Sequence, residues 1–467
     1  MSDSLKFGTS GLRGLAVELQ GQAARQYTAA FLRHLVAADD GSLKQVFLGR
    51  DFRPSSSAIV QDCAVAIAAA GIEPVDCGAL PTPALALHAL AGGGAAIMVT
   101  GSHIPADRNG LKFYSPRGEI TKADEAGIVA ALDGAAVSDL PVAPRDESAL
   151  AAERYFRRFL HLLPQGALQG KRIGVFEHST VARDVLGQVL RHYGAETVSL
   201  GRIGGFVPVD TEAFGDAVFA PVPGWIEEHR LDALVSSDGD GDRPLLVDET
   251  GQFVRGDVLG LLSAQYLNAD SVVTPVTSNS AIEGMQAFAR VVRTRVGSPF
   301  VVAAMEQAPG AVVGFEANGG TFVGAGVSIA GEALSPLVTR DAILPILCAL
   351  GAAAKADETM SRMVAELPLK HALADRLQNV ASDRSAAFLA RLQQETGFAE
   401  QTFGPLGITR RAAIDGLQFW TGSGDMVHFR ASGNAPELRC YVEASSQERA
   451  RELLDWGLQV AARATAQ

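Results

Sequence analysis

The sequence predicts an α/β protein in which three segments share one plan and a small α+β domain follows them. Three observations predict this class. The chain has 467 residues, too many for one ordinary core. An apolar strand, a polar turn, an amphipathic helix and a second strand recur three times, and each copy later reaches a strand that ends in a glycine-rich polar loop. Such alternation predicts mostly parallel sheets with helices on both faces.

The three copies are visible in the sequence. The first runs from QVFLGRDFRPSS to AAIMVTGSH, the second from RIGVFEHSTVARDV to LDALVSSDGDGDR, and the third from SVVTPVTSNSAIEGMQAF to AVVGFEANGG. Their spacings differ, so the pattern indicates a structural repeat and not a solenoid. If the copies are equivalent, the loops TGSH, DGDGDR and FEANGG lie at equivalent sheet edges, where open α/β sheets place their chemistry.

Domain boundaries are expected where proline and charge interrupt the apolar pattern. Three such places are LPVAPRDESA at 140–149, the Arg255–Asp257 segment and AELPLK at 365–370. The last part of the chain ends in MVHFRASGNAPELRCYVEASSQERARELL, which is typical of a strand, a loop, a strand and a helix. These signals predict domains over 1–145, 146–258, 259–368 and 369–467.

Charge and cysteine content narrow the class of protein. With 40 Lys and Arg against 52 Asp and Glu, the chain repels phosphate polymers, which argues against nucleic-acid and anionic-membrane binding. The four cysteines are scattered without a CxxC pair, so neither a disulfide framework nor a zinc site is indicated. The N-terminus lacks an apolar signal core, and the longest apolar run, 342–354, is shorter than the roughly 20 residues of a spanning helix. We expect a soluble cytoplasmic protein.

The DGDGDR loop predicts a site for one hard cation. Asp238, Asp240 and Asp242 alternate with glycines that let the backbone curl, so three carboxylates can converge on Mg²⁺. An EF-hand would use the same aspartates with Glu249, but Arg243 stands where that loop requires glycine. A solvated acidic turn is the remaining alternative. A guanidinium next to a metal suits a phosphate, which favours the cation site.

The TGSH loop offers a hydroxyl, although a lone serine is usually a turn residue. No GxSxG motif surrounds Ser102, and an adjacent His103 does not make a hydrolase triad. Lys112 follows ten residues later, and Asn109-Gly110 is expected to form the tight turn that returns this lysine toward the serine. His103 is compatible with a structural role as well as with chemistry.

Three further loops carry candidate ligand contacts. KFGTSGLRG places Arg13 among glycines, where a flexible terminus is the alternative. FEANGG offers Glu316 and Asn318 to hydroxyl groups, although Asn-Gly is equally a plain turn. RASGNAPELR combines a guanidinium, a hydroxyl and backbone N–H groups that could form an anion nest, with ordinary turn chemistry as the alternative; its residues are Arg430, Ser432, Gly433 and Asn434.

In this order the loops resemble those of the α-D-phosphohexomutase superfamily, over essentially the whole chain. TGSHIPADRNGLK and DGDGDR are specific to that family, and FGTSGLRG and RASGNAPE support it. The resemblance implies four domains around a central cleft and the interconversion of hexose 6-phosphates and hexose 1-phosphates. It is closest to bacterial members that act on mannose phosphates, with glucose and amino-sugar phosphates as alternatives. A metal-dependent sugar phosphatase is the alternative from another enzyme class.

The resemblance also implies a role for each candidate residue. Ser102 is the expected phosphoserine, and one Mg²⁺ per chain is expected on Ser102, Asp238, Asp240 and Asp242. The other catalytic residues are expected to be Arg13, Lys112, Arg243 and His103. Glu316 and Asn318 are expected to bind sugar hydroxyls. The phosphate that is not reacting is expected to bind to Arg430, Ser432, Gly433 and Asn434. A hexose 1,6-bisphosphate is the expected intermediate and activator. The partners are small sugar phosphates, without an obligate protein partner, and the chain is expected to be a monomer or weak dimer.

Two positions depart from the family pattern. Where bacterial hexose mutases read GEMSGH or GEQSGH, this chain reads GFEANGG, so Gly320 stands in place of the last histidine. The glycine-histidine pair of the third domain is Gly297-Ser298. Both histidine roles are therefore unassigned. Glu-Ala-Asn-Gly is also closer to the acetylglucosamine-phosphate mutases, which keeps an amino-sugar substrate open.

Overall fold

A computed structural model of the chain describes residues 4–8, 11–38, 43–132, 140–433 and 436–466. Within these ranges no helix combines the length and the apolar character needed to cross a membrane. The helices are α1 (Ala16–Leu19), α2 (Gln22–Ala38), α3 (Ser56–Ala69), α4 (Thr82–Gly92), α5 (Lys122–Ala130), α6 (Ser148–Arg157), α7 (Arg183–His192), α8 (Val222–His229), α9 (Gly256–Tyr266), α10 (Ser298–Met305), α11 (Ile343–Ala356), α12 (Met360–Glu366), α13 (Ser382–Gln394), α14 (Thr396–Phe403) and α15 (Gln447–Thr465).

The strands form four main sheets and one small hairpin. They are β1 (Lys6–Phe7), β2 (Leu12–Leu15), β3 (Gln45–Arg50), β4 (Glu73–Ala79), β5 (Ala95–Val99), β6 (Arg108–Ser115), β7 (Gly118–Glu119), β8 (Arg145–Asp146), β9 (Arg172–Phe176), β10 (Glu196–Leu200), β11 (Ala233–Ser237), β12 (Pro244–Asp248), β13 (Ser271–Pro275), β14 (Arg290–Thr294), β15 (Val312–Phe315), β16 (Thr321–Val323), β17 (Ser328–Ile329), β18 (Glu332–Ala333), β19 (Leu337–Asp341), β20 (His371–Gln378), β21 (Arg410–Ala412), β22 (Leu417–Trp420), β23 (Met426–Ala431) and β24 (Glu437–Ala444).

The first three sheets repeat one strand order. It reads β4-β3-β5-β6 in the first sheet, β10-β9-β11-β12 in the second and β14-β13-β15-β16 in the third. In each set the first three strands are parallel and the fourth runs antiparallel. The predicted shared α/β topology is therefore confirmed. TGSH, DGDGDR and FEANGG each connect the third strand to the antiparallel fourth, so both ends of every loop are fixed to its sheet.

The central strands are apolar on both faces because helices cover both sides of the sheets. All five residues of β5, Ala-Ala-Ile-Met-Val, are buried, and so are all five of β11 and of β13. In the sequence β5 is an uninterrupted apolar run, whereas β11 and β13 also bury Ser and Thr residues, and the polar loop that follows marks the sheet edge.

The third copy lacks the helix predicted between its first two strands. The first two copies have α3 and α7 there, whereas the third has only a 3-10 helix, Ile282–Met285. The Asn279 side chain accepts from the backbone N–H of Ala281 at 3.1 Å, and Gln286 adopts a left-handed φ of 53°. Local turn chemistry thus replaces the hydrogen bonds that a longer helix would use.

The predicted tight turn at Asn109-Gly110 is also absent. Both residues lie inside β6, where Lys112 pairs with Met98 of β5, and the chain reverses before this strand, over 101–107. A Cβ atom at position 110 would lie 2.4 Å from the carbonyl oxygen of Leu12 in β2. Glycine is needed here for the close approach of two strands and not for a turn.

Among the described residues one buried cluster spans the first three sheets, three further clusters each lie within one of the first three domains, and the last sheet has its own. The first of these clusters includes Phe47, Leu190 and Phe315. The last sheet, in the order β20-β24-β23-β22-β21, is antiparallel and has a separate cluster around Phe388 and Phe429 with α13 and α15. This is the α+β domain that the sequence predicts. The boundaries at 145, 258 and 368 stay predictions.

Candidate active site

The β11–β12 connection curls three carboxylates toward one point. The N–H of Asp238 donates to the carbonyl of Arg243, and one carboxylate oxygen of Asp238, Oδ1, accepts from the N–H groups of Asp242 and Arg243 at 3.1 and 3.2 Å. Gly241 supplies the left-handed φ of 72°. As a result, carboxylate oxygens of Asp238, Asp240 and Asp242 lie within 4.8 Å of one another, and all three residues are buried.

The oxygen atoms of this cluster fit a hard cation. The Oδ1 atoms of Asp240 and Asp242 are buried and have no hydrogen-bond partner among the residues that the structure describes, which costs free energy unless a cation is bound. Burial and the two neighbouring carboxylates hold the pKa of Asp238 well above its ordinary range. Burial opposes ionisation of Asp242 too, but the Arg340 and Lys112 cations lower its pKa. An oxygen-only set of this charge suits Mg²⁺.

Ser102 lies against this cluster although it comes from another sheet. Its Oγ donates to Oδ2 of Asp238 at 2.6 Å, and its N–H donates to Oγ1 of Thr100 at 2.8 Å. Ser102 is buried and adopts a left-handed φ of 52°, a conformation that costs a non-glycine residue free energy. The surrounding structure therefore holds this hydroxyl in one place against a local backbone preference.

Arg53 holds the Ser102 loop in place. The sequence did not single out this residue. Its fully buried guanidinium donates to four carbonyl oxygens of the loop; these belong to Ser102, Ile104, Pro105 and Arg108, at 2.6 to 3.0 Å. Asp51 neutralises Arg53 at 3.1 Å. Only one feature of the sequence indicated this role, the charged residues Asp51 and Arg53 of GRDFR, which come directly after strand β3.

Lys112 reaches the carboxylate cluster from β6. Its Nζ donates to Oδ2 of Asp240 at 2.5 Å and to Oδ2 of Asp242 at 2.6 Å. Thr82 donates to the same Asp240 oxygen at 2.7 Å. Burial acts to lower the pKa of Lys112, but the two aspartates raise it, so the ammonium stays charged. The lysine thus lies on the same cluster that Ser102 touches.

Two more cations and a neutral imidazole surround Ser102. The His103 Nδ1 atom lies 3.3 Å from the Ser102 Oγ atom, and the nearby Arg243 charge, burial and Arg13 together hold the pKa of His103 far below its ordinary value. Arg13, in β2 opposite Gly110, has a pKa lowered to about 10 by burial and by Arg243. The environment of the serine is therefore rich in positive charge.

Arg243 has room for a further partner. Its Nη1 atom is 3.8 Å from Asp210 and 3.7 Å from Glu212, long separations for an ion pair. Its Nε is buried, and the structure gives it no hydrogen-bond partner among the described residues. A guanidinium held in this way beside a carboxylate cluster is suited to an anion.

The FEANGG loop brings its acidic side chain to the same region. Asn318 donates to Oε2 of Glu316 at 3.4 Å and accepts from the N–H of Gly320 at 3.0 Å. Arg340, which the sequence did not single out, donates to Oε2 of Glu316 at 2.7 Å and to Oδ2 of Asp242 at 2.6 Å. One guanidinium thus joins the loops of the second and third sheets.

The fourth domain contacts the third through Asp415. One oxygen of Asp415 accepts from Nε of Arg430 at 2.7 Å and from the N–H of Val296 at 3.0 Å. The N–H of Ser432 donates to the carbonyl of Glu437 at 2.9 Å, which closes the loop after β23. Gly433 is exposed, and Asn434 lies outside the described residues. Asp415 carried no signal in the sequence beyond its place before a glycine.

The sequence matches three models of one protein family. They are described as phosphoglucomutase/phosphomannomutase alpha/beta/alpha domain I, over residues 4–136, alpha/beta/alpha domain III, over 255–371, and C-terminal domain, over 376–455. A phosphomannomutase of Sinorhizobium fredii is 48% identical over 97% of this chain and 98% of its own. A phosphomannomutase of Salmonella muenchen is 41% identical over 97% and 94%.

Solved structures agree in fold. The crystal structure of a phosphoglucomutase/phosphomannomutase family protein from Burkholderia thailandensis superposes with a TM-score of 0.78 over 98% of this chain and 97% of its own. Its sequence is 20% identical, so this likeness concerns the fold alone.

Proposed function

The chain belongs to the phosphoglucomutase/phosphomannomutase family, and from this premise we propose that it interconverts mannose 6-phosphate and mannose 1-phosphate. The enzyme is an isomerase that moves a phosphoryl group within one molecule. The observation that carries the proposal is the Ser102 hydroxyl, which donates to Asp238 inside a buried cluster of three carboxylates. The two relatives that are 48% and 41% identical, both phosphomannomutases, support mannose.

Ser102 is the proposed carrier of the phosphoryl group. In the first transfer a sugar hydroxyl attacks phosphorus, the bond between phosphorus and Ser102 Oγ breaks, and a hexose 1,6-bisphosphate forms. After the sugar turns around, Ser102 Oγ attacks the other phosphate and the product hydroxyl regains a proton. Free bisphosphate would act as activator because it can phosphorylate an empty serine. The buried, strained position of Ser102 fixes the reacting oxygen, which suits a reaction that depends mainly on positioning and charge.

The family is metal-dependent, and Mg²⁺ is the proposed ion. Asp238, Asp240 and Asp242 would hold it together with an oxygen on Ser102. When bound, it supplies positive charge that stabilises the oxygens of the transferred phosphoryl group. The two buried Oδ1 atoms without partners are the observation that supports this assignment.

The cations around Ser102 have separate proposed tasks. Lys112, fixed on Asp240 and Asp242, and Arg13, on the neighbouring strand, would stabilise the negative charge on the sugar oxygen as it loses its proton. Arg243 would face the phosphoryl oxygens with its unpartnered Nε. His103 is neutral, and its Nδ1 atom lies 3.3 Å from Ser102 Oγ, where the tautomer with a proton on Nδ1 would donate to that oxygen.

Substrate contacts are proposed from the third and fourth domains. Glu316 would accept hydrogen bonds from sugar hydroxyls, and Asn318 would contact the sugar beside it. The phosphate that is not reacting would bind to the loop after β23, at Arg430, Ser432, Gly433 and Asn434. Closure of the fourth domain over the substrate would exclude the water that otherwise hydrolyses phosphoserine.

A panel of sugar phosphates tests the proposed function. Purified protein with Mg²⁺ should convert mannose 6-phosphate fastest, glucose 6-phosphate more slowly, and the glucosamine and N-acetylglucosamine phosphates least. Glu316→Ala should lower kcat/KM for both hexoses together, by about 10- to 100-fold for a lost buried acceptor, whereas substitutions of Asn318 should change the mannose to glucose ratio. Coupled assays of both directions measure these constants.

The control variant is Glu332→Ala, which removes an exposed carboxylate of β18 in the same domain and should leave kcat/KM unchanged. Faster turnover of N-acetylglucosamine phosphate than of either hexose phosphate would replace mannose by an amino sugar. Release of inorganic phosphate at the rate of substrate consumption, without any need for a bisphosphate, would instead identify a phosphatase.

Asp415→Asn tests the proposed phosphate contact in the fourth domain. Asparagine is uncharged, so the hydrogen bonds that it accepts from Arg430 and Val296 should be weaker than those of Asp415. The Arg430 guanidinium should therefore lose its fixed direction. We expect KM for the sugar phosphate to rise about tenfold, as for the loss of one charge-assisted hydrogen bond, with a smaller change in kcat. Asp425→Asn is the matched control, because Asp425 pairs with Arg449 elsewhere in this domain. Equal KM values for the two variants would contradict the role of Asp415.

A further inference from the structure

One arginine connects the two loops that carry acidic side chains in the second and third domains. Arg340, at the end of β19, is almost fully buried and donates four hydrogen bonds: two to Oδ2 of Asp242 at 2.6 and 3.2 Å, one to Oε2 of Glu316 at 2.7 Å and one to Oγ of Ser298 at 2.9 Å. Asp242 is separated from it by 98 positions in the chain. A planar guanidinium fixes both carboxylates in direction, which a single ammonium cannot do.

The absence of a side chain at position 320 makes room for this guanidinium. A Cβ atom on Gly320 would lie 2.6 Å from Cδ and 2.7 Å from Cγ of Arg340, and 2.8 Å from the carbonyl oxygen of Asp242. The φ of Gly320 is outside the left-handed region, so space and not backbone conformation requires glycine here. Gly320 and Ser298 are the two positions where the family pattern has histidines. Both lie against Arg340.

We propose that Arg340 is a positioning residue for the mutase reaction, and that it sets the metal-site carboxylate Asp242 and the sugar-site carboxylate Glu316 in fixed relation to each other. Each carboxylate gives one oxygen to the arginine. This leaves Oδ1 of Asp242 for a cation and Oε1 of Glu316 for a sugar hydroxyl. Arg340 therefore acts through its two partners and not on the substrate itself. The inference rests on the proposed function for what the two carboxylates bind.

Arg340→Lys keeps the positive charge but removes the planar guanidinium that contacts both carboxylates at once. A lysine reaches one carboxylate at a time and makes no bidentate contact, so neither Asp242 nor Glu316 should keep its fixed direction. Partners that orient metal ligands typically contribute 10- to 100-fold, and we expect losses of about that size in Mg²⁺ affinity and in kcat/KM for mannose 6-phosphate. Titration calorimetry of metal-free protein measures the first quantity without turnover. Arg145→Lys is the matched control, because Arg145 also joins two carboxylates, Glu73 and Glu147, but on the exposed strand β8 away from the site; it should leave both quantities unchanged.

Gly320→Ala reaches the same guanidinium without changing any charge. The new methyl group should displace Arg340, so this variant should lose Mg²⁺ affinity and kcat/KM in the same range as Arg340→Lys. If both act through one side chain, the double variant should lose no more than about the larger single loss, because substitutions that act on one contact are not additive. If thermal unfolding measurements show that Arg340→Lys does not fold, the result for Gly320→Ala alone tests the positioning role of Arg340.

The outcomes separate this inference from the proposed function. Wild-type affinity for Mg²⁺ and wild-type kcat/KM in Arg340→Lys, or in Gly320→Ala, would overturn the positioning role, and so would losses that add in the double variant. A wild-type protein that does not turn over mannose phosphates would overturn the proposed function, while calorimetry would still report whether Arg340 orients Asp242. Loss of both quantities in both single variants, with non-additivity, supports the inference.

Discussion

Ser102→Ala should remove the mutase reaction and leave the fold intact. Among the described residues, Ser102 carries the one hydroxyl that donates to the carboxylate of Asp238, and a covalent carrier cannot be replaced by a methyl group. We expect a loss of turnover on the order of 10⁴-fold or more, since removal of a nucleophile leaves only binding and electrostatic contributions. Intact-mass spectrometry of the wild type should show one phosphoryl group after incubation with hexose 1,6-bisphosphate, and the variant should show none.

Ser263→Ala is the matched control for this prediction. Ser263 is also buried, but its hydroxyl donates to the Leu259 carbonyl inside α9, at 2.7 Å, and should have no part in the reaction. It should retain both turnover and phosphorylation. A Ser102→Ala enzyme with a rate near that of the wild type would refute the carrier role.

Asp240→Asn should produce the second largest effect, through the metal requirement. The substitution removes one of three negative charges from the proposed Mg²⁺ site and an acceptor shared by Lys112 and Thr82. Affinity for hard cations follows the number of charged ligands, so the Mg²⁺ concentration for half-maximal activity should rise at least about tenfold. Activity measured against Mg²⁺ concentration gives this value.

Asp248→Asn controls for a general effect of losing a carboxylate from this hairpin. Asp248 is the last residue of β12, and its Oδ1 accepts from Thr250 and Gln252 in the turn that follows, bonds that an asparagine oxygen can also make. Its Mg²⁺ requirement should match the wild type. If wild-type protein stays fully active after treatment with a chelator, the three aspartates are structural and the metal assignment fails.

The sequence predicted the three functional loops because local patterns mark them. A buried parallel strand appears as an apolar run, and a polar loop with glycines marks where that run leaves the sheet. TGSH, DGDGDR and FEANGG therefore stood out, and the repeated strand order explains why they occupy equivalent places. The convergence of Asp238, Asp240 and Asp242 was also predictable, since their spacing and the glycines between them are local features.

The residues that connect these loops could not be predicted in the same way. Arg53 finds Ser102, Arg340 finds Asp242 and Asp415 finds Val296 across 49, 98 and 119 positions of the chain, and nothing near them in the sequence specifies those partners. Local propensity was also misleading at Asn109-Gly110, where the approach of β2 requires glycine inside a strand. In the third copy, the side chain of Asn279 favours a turn where periodicity suggested a helix.

The separate apolar cluster of the fourth domain has a consequence for the cooperativity of the molecule. One buried cluster crosses the first three sheets, so moving any of these domains against the others would expose apolar surface at about 25 cal/mol per Å². The fourth domain is joined to the third by polar contacts such as Ser280 with Glu443 and Asn279 with Lys370, whose hydrogen bonds water can replace. The first three domains around the site therefore resist movement against one another. Displacement of the fourth domain costs the least free energy.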